Sequence, residues 1–399
     1  MSEKIVVTGY GIISSLGVGI EKNKEALLKG RKSIGRVSHI CTLHTNLPCG
    51  EVKESDEELR AMLGIAPETV VTRNPLLAMV AMKEAIAISG LTDETSTAFI
   101  NGTTVGGMEK SEQFYRDFFK GENTEYITAH DCGYGTEIAS QIFGRFDYMT
   151  TVSTACSSAA NSIILGADMI KNHRVDAAIV GGSESLSKFH LNGFNSLMIL
   201  EKEPCKPFNR DNNGLNLGEG AAFIVIESET SAKRRGAKIL CELSGYANCC
   251  DAYHQTATSP DSVGEVLAMT EALKNAKLET SAIDYINAHG TGTPDNDLHE
   301  SLAIQKVFRG NVPPFSSTKS YTGHTTSAAG AIEAVFSILS LCQNFIPANT
   351  EFQQPLEETN MSPVSEILRK EINHVMSNSF GFGGNDSCCI FSKYNRQRP

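Results

Sequence analysis

Short apolar runs rich in Val, Ile and Phe alternate along this chain with longer stretches whose apolar residues recur every three to four positions. The first pattern fits buried strands and the second fits helices. It predicts strands over residues 4–8, 98–101, 148–154, 177–180, 222–226, 285–288 and 388–391. It predicts helices over 75–89, 159–172, 262–276, 297–307 and 328–342. Alternation sustained from end to end implies an α/β fold. No proline-rich linker or low-complexity tract divides the chain, and the cluster Glu203-Pro204-Cys205-Lys206-Pro207 reads as a surface loop. A length of 399 residues fits two or three ordinary domains or one large α/β unit.

The chain also repeats itself. Val7-Thr8-Gly9-Tyr10-Gly11 is echoed by Leu243-Ser244-Gly245-Tyr246-Ala247, and Phe99-Ile100-Asn101-Gly102 by Tyr285-Ile286-Asn287-Ala288. Ser158-Ala159-Ala160-Asn161-Ser162-Ile163 is echoed by Ser327-Ala328-Ala329-Gly330-Ala331-Ile332. The order is the same in both series while the offset shrinks from 236 to 186 to 169 residues. Two related halves are therefore expected, residues 1–236 and 237–399, with the longer insertions in the first.

Composition narrows the function. The chain carries 35 Lys and Arg against 46 Asp and Glu, a net charge of −11, which argues against a general nucleic-acid surface. A local basic patch for one acidic partner stays open. Eleven cysteines, odd in number, scattered and without a Cys-x-x-Cys pair, support neither a disulfide framework nor a zinc site, so no metal is expected. The N-terminus lacks the basic segment and apolar core of a signal peptide. The longest apolar stretch, 327–342, is interrupted by Gly330, Glu333, Ser337 and Ser340 and reads as too short and too polar to span a membrane. A soluble cytoplasmic protein is the expectation.

The strongest chemical signal is Val152-Ser153-Thr154-Ala155-Cys156-Ser157-Ser158, a β-branched run that ends in a cysteine where small residues open a helix. A thiol at a helix N-terminus faces unpaired N–H groups that favour the thiolate and stabilise an oxyanion. A buried cysteine in a tight strand–helix junction fits the same residues. Two histidines bear on the choice. His289 ends a predicted strand on a Gly/Thr loop, and His324 precedes the repeat helix. The internal alignment sets His324 beside the counterpart of Cys156, so packing of the two halves would bring the thiol and both imidazoles together. The run Phe380-Gly381-Phe382-Gly383-Gly384 reads either as a movable loop whose amides approach a ligand or as a plain turn. Two motifs fail: Ser14 stands where a dinucleotide loop needs its third glycine, and Gly181-Gly182-Ser183-Glu184-Ser185 lacks the closing glycine of a serine elbow.

Taken together, these segments resemble the β-ketoacyl-acyl carrier protein synthases, specifically the elongating Cys-His-His branch of the thiolase fold. The resemblance covers nearly the whole chain. It runs from the N-terminal Val-Val-Thr-Gly-Tyr-Gly-Ile through Thr154–Ser158, Gly214–Gly220, Asp251–His254, His289–Pro294 and Lys319–His324 to Gly381–Gly384. It implies two duplicated halves in a layered αβαβα sandwich. It implies that Cys156 carries the acyl chain, that His289 and His324 promote decarboxylation of a malonyl group and hold the enolate, and that the amides of Cys156 and Phe382 form the oxyanion hole. Phe382 looks like the gate, and Lys319 with Glu333 looks like the support that orients His324. Thr291 and Thr293 look like contacts for the pantetheine arm, and Val105 and Phe194 like acyl-tunnel residues. The implied partners are an acyl carrier protein, which brings the phosphopantetheine so that no cofactor of the chain's own is needed, and a second ketosynthase-like subunit, identical or not.

The pattern also departs from the family. Asn385-Asp386-Ser387 stands where the fatty-acid enzymes read Thr-Asn-Gly, which suggests different gating. The segment ahead of the helix at 75 offers only Arg73 and then Lys83 for carrier docking. The context Ala-Cys-Ser-Ser leans toward polyketide or polyene synthesis beside fatty-acid elongation. A degradative thiolase would need a second catalytic cysteine, an initiating ketosynthase an asparagine in place of His324, and an inactive chain-length partner would lack Cys156.

Overall fold

In the computed structural model, which describes residues 3–144 and 146–394, the apolar runs become strands of one sheet. Its main path takes in β1 (Ile5–Ser14), β2 (Thr97–Gly102), β3 (Tyr148–Val152), β4 (Ala177–Glu184) and β5 (Gly220–Ser228), then β6 (Cys241–Cys250), β7 (Tyr285–Asn287), β8 (Phe315–Ser316), β9 (His374–Gly381) and β10 (Asn385–Ser392). The spatial order is β3-β2-β4-β5-β1-β6-β10-β9-β7-β8. Counted outward from the centre, each side runs first, fifth, fourth, second, third strand, so the two halves share one topology. They meet where β1 pairs antiparallel with β6 at Val6↔Glu242 and Val7↔Cys241. Val6 and Glu242 are counterparts in the internal repeat, so a residue pairs with its own equivalent, as a two-fold relation requires.

Five helices complete the layers: α1 (Arg73–Ser89), α2 (Ser158–Lys171), α3 (Val263–Ala276), α4 (Pro294–Phe308) and α5 (Ala329–Gln343). α1 covers β1 and β5 on one outer face, α3 covers β6 and β10 on the other with α4 beside it, and α2 and α5 pack together between the two halves of the sheet. This is the αβαβα sandwich of the thiolase fold. α5 is buried at every residue from Ala329 to Leu341, which is why it is apolar all round. Thr326–Gln343 reaches, by length and composition, what a membrane crossing needs, contrary to the sequence expectation, yet 89% of it lies inside the fold.

Small residues let the two central helices start side by side. A β-carbon on Gly330 would lie 2.9 Å from both the amide nitrogen and the β-carbon of Ala160. That approach brings together the loops preceding α2 and α5, which carry Cys156 and His324.

Three strands of the main path escape the apolar-run pattern. β8 is only the two residues Phe315–Ser316. β6 alternates between buried and partly exposed positions, and β9 buries Ser377, Asn378 and Ser379 among its apolar residues.

Candidate active site

Between β3 and α2 the chain turns sharply. Ala155 takes the left-handed conformation (φ 53°), which costs an L-residue on the order of 1 kcal/mol and persists only where packing imposes it. The turn lifts Cys156 two residues ahead of the helix, with only 6% of it exposed. Its Sγ lies 3.0 Å from Nε2 of His324. Burial pushes the thiol up to about 11, against the pull of the Lys319 charge and the Phe382 amide. The sequence expectation of a lowered thiol pKa is therefore corrected: desolvation outweighs the helix N-terminus.

His289 follows β7 on a loop held by carboxylates from α4. Glu300 accepts the amides of His289 (2.9 Å) and Gly290 (2.7 Å), and Asp297 accepts those of Gly292 (3.1 Å) and Phe208 (2.7 Å). Lys319 Nζ lies 3.1 Å from His289 Nδ1, also donates to the His289 carbonyl, and forms an ion pair with Glu333. An ammonium can only donate, so Nδ1 of His289 accepts and the proton sits on Nε2. Lys319 and Glu333 thus support His289, not His324 as the sequence reading had it. His324 is fixed instead through its backbone, donating to the Asn216 carbonyl (2.7 Å) and accepting from Gly218 (2.9 Å).

The two imidazole rings stand perpendicular, 5.3 Å between centroids. Burial, then the nearby Lys319 charge, holds both well below the ordinary imidazole range, so both are neutral at pH 7. Glu333 is pushed up to about 7 by burial, with Lys319 opposing. The result is a buried group of one thiol, one imidazole poised to take its proton, and one imidazole presenting Nε2–H.

A cavity of about 330 Å³ opens onto these three side chains and is also lined by Thr291, Thr293, Phe194 and Phe382. The Phe194 and Phe382 rings stack 5.9 Å apart, and the Thr291 and Thr293 hydroxyls bond each other at 2.8 Å. Val105 is buried but does not line this cavity. Arg73 is not a surface cation: it is 5% exposed, with its guanidinium on Glu219 at 2.7 Å and Asp56 at 3.0 Å. Lys83 donates to the Met62 carbonyl at 2.7 Å.

The sequence reading missed Asp297, Glu300 and Asn385. Acids three residues apart behind Pro294 were the available signal, since that spacing puts both on one helix face. Asn385 ties the glycine loop to the nucleophile helix, accepting from Ser157 (2.8 Å) and Asn161 (2.7 Å).

Comparison with known proteins agrees with this geometry. Residues 2–232 match the N-terminal domain of the beta-ketoacyl synthases, and residues 240–353 match the C-terminal domain. The chain belongs to the β-ketoacyl synthases. This ketosynthase is 32% identical over 413 residues to 3-oxoacyl-[acyl-carrier-protein] synthase 2 of Staphylococcus aureus (strain COL), covering 98% of this chain and 99% of that one. The protein of the same name from Coxiella burnetii is 32% identical over 410 residues, covering 98% of each chain. Among solved structures, the ishigamide ketosynthase/chain length factor superposes with a TM-score of 0.93 at 29% identity, covering 99% of this chain and 100% of that one. A ketosynthase in complex with its chain length factor from Xenorhabdus doucetiae gives 0.83 at 30% identity over 98% of each chain. As a ketosynthase it is a condensing enzyme, an acyltransferase.

Proposed function

We propose that this ketosynthase joins a Cys156-bound acyl chain to a malonyl unit delivered by an acyl carrier protein, in a decarboxylative Claisen condensation. The observation that carries this reading is the 3.0 Å contact between the Cys156 sulfur and a neutral His324, with His289 beside it. In the first half-reaction the sulfur attacks the acyl thioester, its proton passes to His324, and the carrier's thiolate leaves and takes up that proton. In the second, the malonyl carboxylate departs as CO2 and the enolate oxygen takes hydrogen bonds from His289 Nε2–H and from His324 Nε2–H. The His324 proton has moved from Nδ1 to Nε2 once the acylated sulfur no longer offers one. The enolate carbon then attacks the Cys156 thioester; the new C–C bond forms as the C–S bond breaks, and the departing Cys156 thiolate takes one proton, supplied by solvent, to return to the thiol. The amides of Cys156 and Phe382 hold the oxyanion in both steps. The apolar, buried surroundings of the pocket exclude the water that would hydrolyse the thioester.

Incubation with acyl carrier protein thioesters followed by peptide mass spectrometry tests the assignment. An acyl adduct on Cys156 is expected, together with a Cys156→Gln variant that releases CO2 from malonyl carrier protein without elongating. An adduct on another cysteine overturns it. The Ala155-Cys156-Ser157-Ser158 context and the likeness to ketosynthases that pair with a chain length factor favour a polyketide-type pathway in the cytoplasm, with fatty-acid elongation as the other reading. β3 is an edge strand with Tyr148 and Met149 more than 40% exposed, a surface suited to a second ketosynthase-like subunit. Native mass spectrometry with and without a co-expressed chain length factor separates homodimer from heterodimer.

A further inference from the structure

The ring of His324 is fixed on one side only. Its Nε2 meets the Cys156 sulfur, while its Nδ1 has no hydrogen-bond partner among the described residues. The place of the ring is therefore set by its main chain, and that main chain is the end of one short turn. Lys319–Thr322 forms a single helical turn, closed by the Gly323 amide on the Lys319 carbonyl at 2.8 Å, and His324 follows. Lys319 at the start of the turn supports His289, and His324 at its end meets the thiol. Whatever holds the two ends sets one imidazole against the other.

Both ends are held by a buried asparagine and its neighbour, neither of which lines the cavity. The Asn216 carbonyl takes the His324 amide at 2.7 Å. The Asn216 side chain is fully bonded: Nδ2 donates to the carbonyls of Glu201 (3.1 Å) and Glu203 (3.0 Å), and Oδ1 accepts the Cys205 amide (2.7 Å). Two carbonyls on one side and an N–H on the other fix which end of the side chain is which. Cys205 in turn donates its thiol to the Lys319 carbonyl at 3.7 Å. Asn216 and Cys205 are each 1% exposed.

Glycines let these segments touch backbone to backbone. A β-carbon on Gly218 would lie 2.4 Å from the Thr322 carbonyl oxygen, and one on Gly323 would lie 2.5 Å from that of Leu217. One on Gly292 would lie 3.1 Å from the Cys205 β-carbon, so Cys205 sits between the Lys319 turn and the His289 loop.

We propose that Asn216 is a positioning residue for the condensation: acting with Cys205, it clamps both ends of the 319–324 turn and so sets His289 and His324 at the separation that two donors to one enolate oxygen require. This rests on the reading of the two imidazoles as those donors. The side-chain type follows from the three groups it serves, two acceptors and one donor. An aspartate of the same shape turns a carboxylate toward two carbonyl oxygens, and an apolar residue leaves all three groups unpaired in the interior.

CO2 release from malonyl carrier protein by the Cys156→Gln protein tests this, with Asn216→Asp and Cys205→Ala added singly and together and rates taken per folded molecule. The clamp touches no substrate atom, so kcat should fall while KM stays within about twofold. Misplaced donors cost roughly 10–10²-fold, which is the loss expected for Asn216→Asp, with a severalfold loss for Cys205→Ala. The double variant should lose little more than Asn216→Asp alone, because both changes break one link. Cys205→Ser, whose hydroxyl also donates, should recover most of what Cys205→Ala loses. Unchanged kcat, a loss confined to KM, or equal rates for Cys205→Ala and Cys205→Ser overturns the proposal; the last comparison decides the matter if Asn216→Asp does not fold. Hydrogen exchange of the peptide spanning 319–325 reads the clamp without turnover and should lose protection in Asn216→Asp and Cys205→Ala but not in Cys205→Ser. That pattern in a chain whose Cys156→Gln form releases no CO2 sinks the condensation reading alone, whereas CO2 release with unaltered exchange sinks the clamp alone.

Discussion

The two halves of this ketosynthase are built on one topology and do opposite electrostatic jobs. In the first half the strand β2 ends at Gly102 and Thr103, and the buried carboxylate behind that end, Glu184, takes only neutral donors: Thr103 at 2.9 Å, the Thr104 amide at 3.0 Å, Asn74 at 3.3 Å and the Ser327 hydroxyl. In the second half the position equivalent to Thr103 is His289, whose loop amides are taken by Glu300 and whose ring faces Lys319. One half therefore spends its strain at Ala155 to present a sulfur. The other buries a cation between a carboxylate and an imidazole. Duplication supplied two equivalent loop ends at one place, and side-chain replacement at those ends made one a nucleophile support and the other a charge-stabilising site.

The largest effect should come from the reactive imidazoles. His324→Ala removes both the proton acceptor for Cys156 and one enolate donor, and condensation should fall roughly 10²–10³-fold. Thr103→Ala, at the first-half counterpart of His289, should change the rate by less than about tenfold, because the hydroxyl it removes bonds Glu184 and touches no reacting atom, and Glu184 keeps its other donors. Equal losses in steady-state assays of the two variants would erase the proposed division of labour.

Lys319→Met tests the cation. It leaves Glu333 buried without its partner, and breaking such a pair typically costs about 3–5 kcal/mol. The sign with pH follows from the direction of the shift. Glu333 is already raised toward 7 with Lys319 present. Without that charge the folded state favours its protonated form still more, so stability is lost as pH rises above the ordinary carboxylate range. The denaturation midpoint should therefore drop further at pH 8 than at pH 5. Adding Glu333→Gln should restore much of the stability without restoring the His289-dependent decarboxylation rate.

How much of this was legible beforehand depended on whether a feature lay in one segment or between segments. The α/β alternation, the duplication and the meeting of Cys156 with His324 could be read from apolar periodicity and the three echoes, because each is a property of local pattern, whereas the layered sandwich was implied by the family resemblance. Four things could not. β9 buries Ser377, Asn378 and Ser379, so no apolar run marks it. The thiol pKa moved the other way, because its desolvation is set by α5 and the β9–β10 loop, far off in sequence. Lys319 reaches His289 across 30 positions rather than its near neighbour His324, since the side chain turns inward beneath the β7 loop. Arg73 looked available for docking because its partner, Glu219, is 146 positions away.

A smaller effect, about tenfold per pH unit, should appear in the alkylation of Cys156 by iodoacetamide. With the thiol raised to about 11 and His324 held neutral, the thiolate fraction grows with pH through the whole neutral range. The rate should climb steadily from pH 6 to 9. A plateau below pH 7 would mean a thiolate–imidazolium pair, and would put charge in the first half as well as the second.

The smallest effect should come from the seam. Gly330 opens α5 where the helix meets α2, and its β-carbon would strike the Ser379 hydroxyl on β9, which can rotate, and the backbone and β-carbon of Ala160, which cannot. Gly330→Ala must therefore separate the helix starts by a few tenths of an ångström, at a cost of about 1–3 kcal/mol for overpacking. Nothing polar is removed and no reacting atom is touched. The Cys156–His324 contact and the oxyanion pair of the Cys156 and Phe382 amides span the two halves, whereas His289, Lys319 and Glu333 all belong to the second half. Acyl transfer to Cys156 should slow severalfold while decarboxylation by a Cys156→Gln background carrying the same change stays near its starting rate. If both steps slow alike, the two halves move as one body, and the contrast drawn between them lies in chemistry alone, with no mechanical seam beneath it.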